Sequence, residues 1–196
     1  MHRPTKEEIR TLPMYEGLDL IDIHIVETEQ DAADVLAVLH HETKLGFDTE
    51  TKPTFRKGEA SSGPTLIQLA SASKAFLFPM RFPAAVSSAH ALLSNPNIIK
   101  VGFGIRDDIK ELRNKLAIEI INTHDLSIEL KHLVDEKNNI GARAAVAMVL
   151  KLRLTKGAQT SNWGAYPLQK HQIQYAANDA HAAICVANAL DRLQND

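Results

Sequence analysis

Between Leu18 and Thr28 the chain alternates, and Ile21, Ile23 and Ile25 fall on one side of LDLIDIHIVET. That period of two predicts a strand with one half-exposed face. Thr28 with Asp31 forms a plausible capping pair for a following helix that carries Ala33, Leu36, Ala37 and Leu39 inward. KLGFDTE reads as a second strand, and residues 51–63 (TKPTFRKGEASSG) as a polar loop rich in Gly, Pro and Ser. TLIQLAS and KAFLFPM are two more short strands, joined tightly at Ser71–Ser73. A helix from Phe82 to Leu93 ends at Asn95–Pro96, because the residue before proline disfavours helical backbone. NIIKVGFG then predicts a strand, IRDDIKELRNKL a helix and IEIIN a strand, followed by helices in DLSIELKHLVDE and IGARAAVAMVLKL. Residues 151–166 look irregular. The last helix spans about Leu168 to Leu193, with Ile173, Ala177, Ala180, Ile184, Ala187 and Leu190 in one apolar stripe. Residues 1–18 carry mixed charge and two prolines, and read as a peripheral arm with at most a short helix from Lys6 to Arg10.

Consecutive strands, then strand–helix alternation, then helices alone predict an α/β architecture. A hairpin sheet extended by crossovers becomes a mixed β-sheet flanked by helices on both faces. The 196 residues, 44% of them hydrophobic, suit one domain, residues 19–196, beyond the arm. A net charge of −2 excludes a polybasic protein, so contact with a polyanion requires a local patch. The single cysteine, Cys185, excludes an intrachain disulfide and a CxxC metal knuckle. No apolar run is long enough for a membrane span, and the charged MHRPTKEEIRTLP lacks a signal-peptide core, which makes a cytoplasmic location the expectation.

Three places carry candidate chemistry. Asp48 and Glu50 stand two apart on a strand and so point to one face, while Phe47 points to the other. Asp107 and Asp108 open the helix after VGFG, where acids also simply complement a helix N-terminus. GFGIRD lacks the third glycine of a dinucleotide fingerprint. Tyr175 and Asp179 stand four apart on the last helix, and Asp179 lies within its alanine-rich stretch, where an acid must be paired, hydrogen-bonded or metal-bound. Each signal alone equally describes a solvated charge. Brought together, four carboxylates would repel by several kcal/mol unless cations sit between them. Oxygen ligands with no Cys and no His cluster select Mg²⁺ or Mn²⁺, and two such ions about 3.5–4 Å apart suit in-line attack at a phosphodiester.

With FDTET, KVGFGIRDDIKEL and YAANDAHAA in this order, and TLIQLAS and TSNWGAYPL between them, the chain resembles the DEDDy 3′–5′ exonucleases. These have the ribonuclease H-like (DnaQ-like) fold, and the resemblance is to their Werner-type and ribonuclease D-like domains over about residues 20–192. It implies metal ligation by Asp48, Glu50, Asp108 and Asp179, with Asp108 preferred to Asp107 because it directly precedes Ile109. It implies two ions per site, release of nucleoside 5′-monophosphates from the 3′ end of DNA or RNA, and a catalytic Tyr175 that orients the attacking water. The histidine subclass would place His where this chain has Gln174, and His171 reads as a surface residue.

For substrate contact, Lys151, Arg153 and Lys156 in KLRLTKGAQ are candidates for the cleft rim, and Arg56 and Lys57 for a loop that tracks the backbone. Leu66 is a candidate wedge against the terminal base, as the resemblance implies. Trp163 is a candidate stacking platform or a packed residue under the last helix. Two alternatives stay open: a ribonuclease D-like exoribonuclease in RNA processing, and a non-catalytic nucleic-acid-binding relative.

Overall fold

The computed structural model describes residues 1–54, 61–155 and 157–195. Among these residues six strands form one sheet: β1 (Ile23–Ile25), β2 (Lys44–Thr51), β3 (Pro64–Ala70), β4 (Ala75–Pro79), β5 (Ile99–Gly102) and β6 (Thr123–Asp125). Their spatial order is β1-β4-β3-β2-β5-β6. β2, β3 and β4 form the antiparallel meander, while β1 joins β4, β5 joins β2 and β6 joins β5 in parallel. The expected mixed sheet is therefore present, with parallel edges added by crossovers.

Seven α-helices of the described residues cover it: α1 (Lys6–Thr11), α2 (Glu29–Leu39), α3 (Pro83–Leu93), α4 (Arg106–Leu116), α5 (Leu126–Leu133), α6 (Ala142–Leu150) and α7 (Lys170–Asn195). Two cores result, one on each face of the sheet. Leu45, Phe47, Ile67, Leu69, Phe76 and Phe78 pack against α2, α3 and α4. Leu66, Ala70, Ala75, Leu77 and Val101 pack against α5, α6 and α7. None of the helices among the described residues is long and apolar enough to cross a membrane.

Local chemistry explains the element boundaries. The Thr28 hydroxyl accepts from the Asp31 amide at 3.2 Å, and the Asp31 carboxylate accepts from the Thr28 amide at 2.8 Å, which closes the expected capping box. The buried face of α2 is Ala32, Val35 and Leu39, with Ala33 and Ala37 turned to solvent. The expected face was thus wrong at its alanines, and the larger Val35 decides the orientation. The first strand is shorter than its alternation suggests. A 3₁₀ turn over Leu20–Asp22 rotates Ile21 outward, leaving it 82% exposed. IEIIN is not a strand. Ile118 and Ile120 fill the core beneath α3 and α4 as irregular chain, and the Ile121 amide bonds to Leu93 carbonyl at 3.0 Å. Asn122 takes a left-handed φ of 58°, which Asn tolerates, and the strand begins one residue later at Thr123. The centre of α7 is buried nearly all round, not along one stripe. In the first eighteen residues Ile9 and Tyr15 are buried, and the arm is pinned to the body: Arg153 amide donates to Pro13 carbonyl at 2.7 Å and Tyr15 amide to Arg153 carbonyl at 3.0 Å.

Candidate active site

The alternation of β2 puts Leu45 and Phe47 in the core beside α2, α3 and α4, so Gly46, Asp48 and Glu50 face α7. At Gly46 the helix lies directly on the strand. A Cβ there would sit 1.9 Å from Ala180 carbonyl oxygen, closer than any two non-bonded heavy atoms can approach. Ala176, Ala177, Ala180 and Ala183 are fully buried at this contact. Small residues on both sides therefore let α7 descend far enough for Asp179 to reach the level of the β2 acids. The result is a half-buried cluster: one carboxylate oxygen from each of Asp48, Glu50 and Asp179 lies within 4.8 Å of the other two. The register between β2 and β3 shifts between Glu50 and Thr51, so the irregularity in the ladder falls beside the acids.

Asp108 stands apart from that trio. It occupies the first turn of α4, and its Oδ1 accepts a short hydrogen bond from the Thr49 hydroxyl, on the opposite face of β2 from Asp48 and Glu50. Gly102 makes this approach possible, since a Cβ there would meet Phe47 carbonyl oxygen at 2.6 Å. The Asp108 charge still reaches the trio electrostatically. Asp107 is exposed.

Every acid of the site is held above its ordinary pKa. Burial pushes Asp48 well up, and the charges of Asp179, Asp108 and Glu50 add to it. Glu50 is pushed up to about 8 by burial and then by Asp179 and Asp108. Asp179 is pushed up to about 7 by burial, against the hydrogen bond from Tyr175 that favours its anion. Burial also raises Asp108, opposed by the Thr49 hydroxyl. Tyr175 is raised by burial and by the neighbouring Asp179, so its phenol stays protonated. Mutual elevation of several carboxyls means too much negative charge in one place. The donors are oxygens only, with no thiol or imidazole among the described residues of the cluster. Such a set fits a hard divalent cation, which would remove the repulsion by holding the acids ionised.

Asp48, Glu50, Asp179 and Tyr175 line a cleft of about 840 Å³. Those candidate substrate residues that lie among the described residues do not. Leu66 pairs with Glu50 and shares its face of the sheet, but it is buried in the core under α7 and does not line the cleft. Trp163 is 3% exposed and packs against the Tyr175 ring at 6.1 Å, so it is the packed residue, not a free platform. Lys151 caps α6 in left-handed backbone and donates to Met148 carbonyl at 2.9 Å. Arg153 is committed to the N-terminal arm, with its guanidinium on the Met14 sulfur at 2.9 Å. Lys156, Arg56 and Lys57 lie outside the described residues. The cations that line the cleft are instead Arg3, Lys6 and Arg10 of the arm and Arg143 of α6. The four-residue spacing of Lys6 and Arg10 on the short expected helix is the signal in the sequence; Arg3 lies before that helix and carries no such periodicity. His171 is exposed as expected, and Gln174 donates to Leu18 carbonyl at 2.7 Å, away from the acids.

A family model described as 3′–5′ exonuclease matches residues 23–194. A 3′–5′ exonuclease of Arabidopsis thaliana is 27% identical over 164 residues, covering 82% of this chain and 54% of that protein. The human exonuclease mut-7 homolog is 30% identical over 182 residues, 80% of this chain and 21% of that protein. This chain thus spans about half the length of the first relative and about a fifth of the second. Among solved structures, the EXO domain of Aedes aegypti Nibbler superposes with a TM-score of 0.79, covering 91% of each chain at 24% identity. The architecture is accordingly the ribonuclease H-like one.

Proposed function

We propose that this chain, which belongs to the 3′–5′ exonuclease family, hydrolyses the terminal phosphodiester of a nucleic acid and releases nucleoside 5′-monophosphates from the 3′ end. One observation carries the reading: two residues of β2 and one of α7, far apart in sequence, place carboxylate oxygens within 4.8 Å on the wall of an open cleft. We assign Asp48, Glu50 and Asp179 as ligands of divalent cations, Mg²⁺ or Mn²⁺, with Asp108 beside them. When bound, a pair of such ions supplies charge neutralisation at the phosphate and acidifies the attacking water.

The remaining work falls to the chain itself. Asp48, Glu50 and Asp179 must shed their protons to bind a cation, and their raised pKa values tie that step to pH. Thr49 holds the Asp108 carboxylate in one orientation and favours its anion. Tyr175, hydrogen-bonded to Asp179 and protonated at neutral pH, is no free base. It orients the nucleophilic water from a hydroxyl on the cleft wall. The Trp163 ring behind it restrains its rotation.

End-labelled single-stranded DNA, 3′-recessed duplex and RNA, each incubated with Mg²⁺, Mn²⁺ or EDTA, test the reading. We expect a ladder that shortens from the 3′ end, mononucleotide 5′-phosphate products and silence in EDTA. The same panel separates an exoribonuclease from a DNA exonuclease. Internal cleavage, or digestion that survives EDTA, overturns the proposal, and binding without digestion under every cation favours a non-catalytic relative.

A further inference from the structure

One wall of the cleft is built from the N-terminal segment, which contributes no strand to the sheet. α1 lies along it, and Arg3, Lys6 and Arg10 all line the cleft. Lys6 opens the helix and Arg10 follows one turn later, so helical spacing puts these two on one side, while Arg3, before the helix, reaches the same cleft from non-helical chain. The acids of the same segment are elsewhere: Glu7 and Glu8 do not line the cleft, and Glu8 closes the capping box on Thr5 with bonds of 2.7 and 3.2 Å. Ile9 is buried at the same contact, and Tyr15 anchors the arm through its hydroxyl on His181 Nδ1 at 2.7 Å. The arm is thus held where it lies. On α6, Arg143 lines the same cleft, with Nε donating to Leu154 carbonyl at 3.4 Å.

These cations are not neutralised by the acids of the site. Among the described residues no ion pair joins Lys6, Arg10 or Arg143 to a carboxylate, and Arg3 reaches only Glu136, at 3.9 Å between exposed groups. The cleft therefore presents carboxylates on one wall and, on another, guanidinium and ammonium groups that do not pair with those carboxylates. A protein of net charge −2 has no global field to attract a polyanion. A local row of cations beside the acids supplies that attraction where it is useful.

We propose that α1 is a substrate clamp: Arg3, Lys6 and Arg10, with Arg143 of α6, hold backbone phosphates of the strand upstream of the bond to be cut. The inference rests on the exonuclease reading for its substrate class. It assigns the N-terminal arm to the binding site, and it makes affinity depend on substrate length.

The test is equilibrium binding of a labelled dinucleotide and a labelled single-stranded dodecamer, by fluorescence anisotropy in EDTA over a range of KCl. The intact chain should bind the dodecamer at least about tenfold more tightly, with a log–log salt slope of roughly 0.7 per phosphate held. The triple variant Arg3→Gln, Lys6→Gln, Arg10→Gln should lose that length-dependent gain and flatten the slope by roughly 2. These side chains are exposed, so thermal melting should be unmoved, and the variant Arg3→Lys, Arg10→Lys should restore the slope. Unchanged length and salt dependence in the triple variant overturns the clamp, and so does tighter binding or faster digestion, which would make α1 a cover that obstructs the cleft. The two readings fail separately. Length-dependent binding by a chain that digests nothing with Mg²⁺ or Mn²⁺ sinks the exonuclease reading alone. Digestion with an unchanged triple variant sinks the clamp alone.

Discussion

Replacing Asp179 with Asn should stabilise the metal-free protein, and only at high pH. Two unit charges 4.8 Å apart repel by about 3.5 kcal/mol at an effective dielectric of 20, and Asp179 faces two such neighbours. Protonation limits the penalty. Glu50 moves from 4.5 to about 8, first through burial and then through Asp179 and Asp108; at 1.36 kcal/mol per unit this is about 5 kcal/mol before solvent screening, of which the substitution relieves only the Asp179 share. The acids are coupled, so these figures do not add, and a net gain of about 2–4 kcal/mol is the expectation. For a chain of this size that is a rise in Tm of roughly 5–12 °C. The sign follows from proton linkage. Below the unfolded values of 3.8 and 4.5 the acids are neutral in both states and fold stability is complete. As pH rises, the unfolded chain ionises first, so wild-type stability falls until pH passes about 7 and then about 8. The Asn variant should flatten that decline. Millimolar Mg²⁺ or Mn²⁺ should reverse the order, because cation binding stabilises the wild type and little else. Melting curves in EDTA and in Mn²⁺, below pH 4 and above pH 8, decide it. An Asn variant that melts below the wild type in EDTA at high pH refutes the charge-cluster argument.

Other substitutions probe the supports of the site. Gly46→Ala alters no acid, yet its methyl would collide with Ala180 carbonyl, so α7 must shift; we expect a loss of about 1–3 kcal/mol in denaturant titration together with loss of cation-induced stabilisation. Tyr175→Phe should lower kcat by about 10²-fold or more while the Mn²⁺ concentration for half-maximal stabilisation changes little, and a mere shift in that concentration would make Tyr175 part of the cation site instead. Gln68 is fully buried opposite Asp48, with neither amide atom hydrogen-bonded among the described residues, so Gln68→Leu should hold or raise the unfolding free energy in EDTA, by up to about 1–3 kcal/mol of recovered desolvation, read as an unchanged or higher Tm. A marked fall would reveal a partner for that amide.

Much of the site could be read from residue order because its acids sit on regular elements. The period of a strand puts Asp48 and Glu50 on one side whatever else the chain does, and the period of a helix does the same for Tyr175 and Asp179. The alanine-rich run around Asp179 also signals burial on its own. What was not legible depends on contacts between distant segments. Gly46 is one residue of a hydrophobic strand until α7 is laid on it, and Thr49 has no reason to bind Asp108 until α4 starts beside β2. The cationic rim was sought in KLRLTKGAQ, next to α7 in sequence, whereas tertiary packing turned Arg153 toward the arm and brought the arm's own cations to the cleft. The ribonuclease H-like sheet was legible as a succession of elements, but IEIIN shows the limit of that method. Alternating isoleucines fit irregular chain packed on two helices as well as they fit a strand.

The seat of α7 on Gly46 also sets a timetable for synthesis. Asp48 and Glu50 are made before Asp179, the third acid of the cluster, which sits on α7 and reaches them only where that helix lies on β2. Before α7 is made, the chain holds two of the three acids and lacks the helix that brings the third. Whatever needs all three acids together therefore waits for α7 to seat on β2.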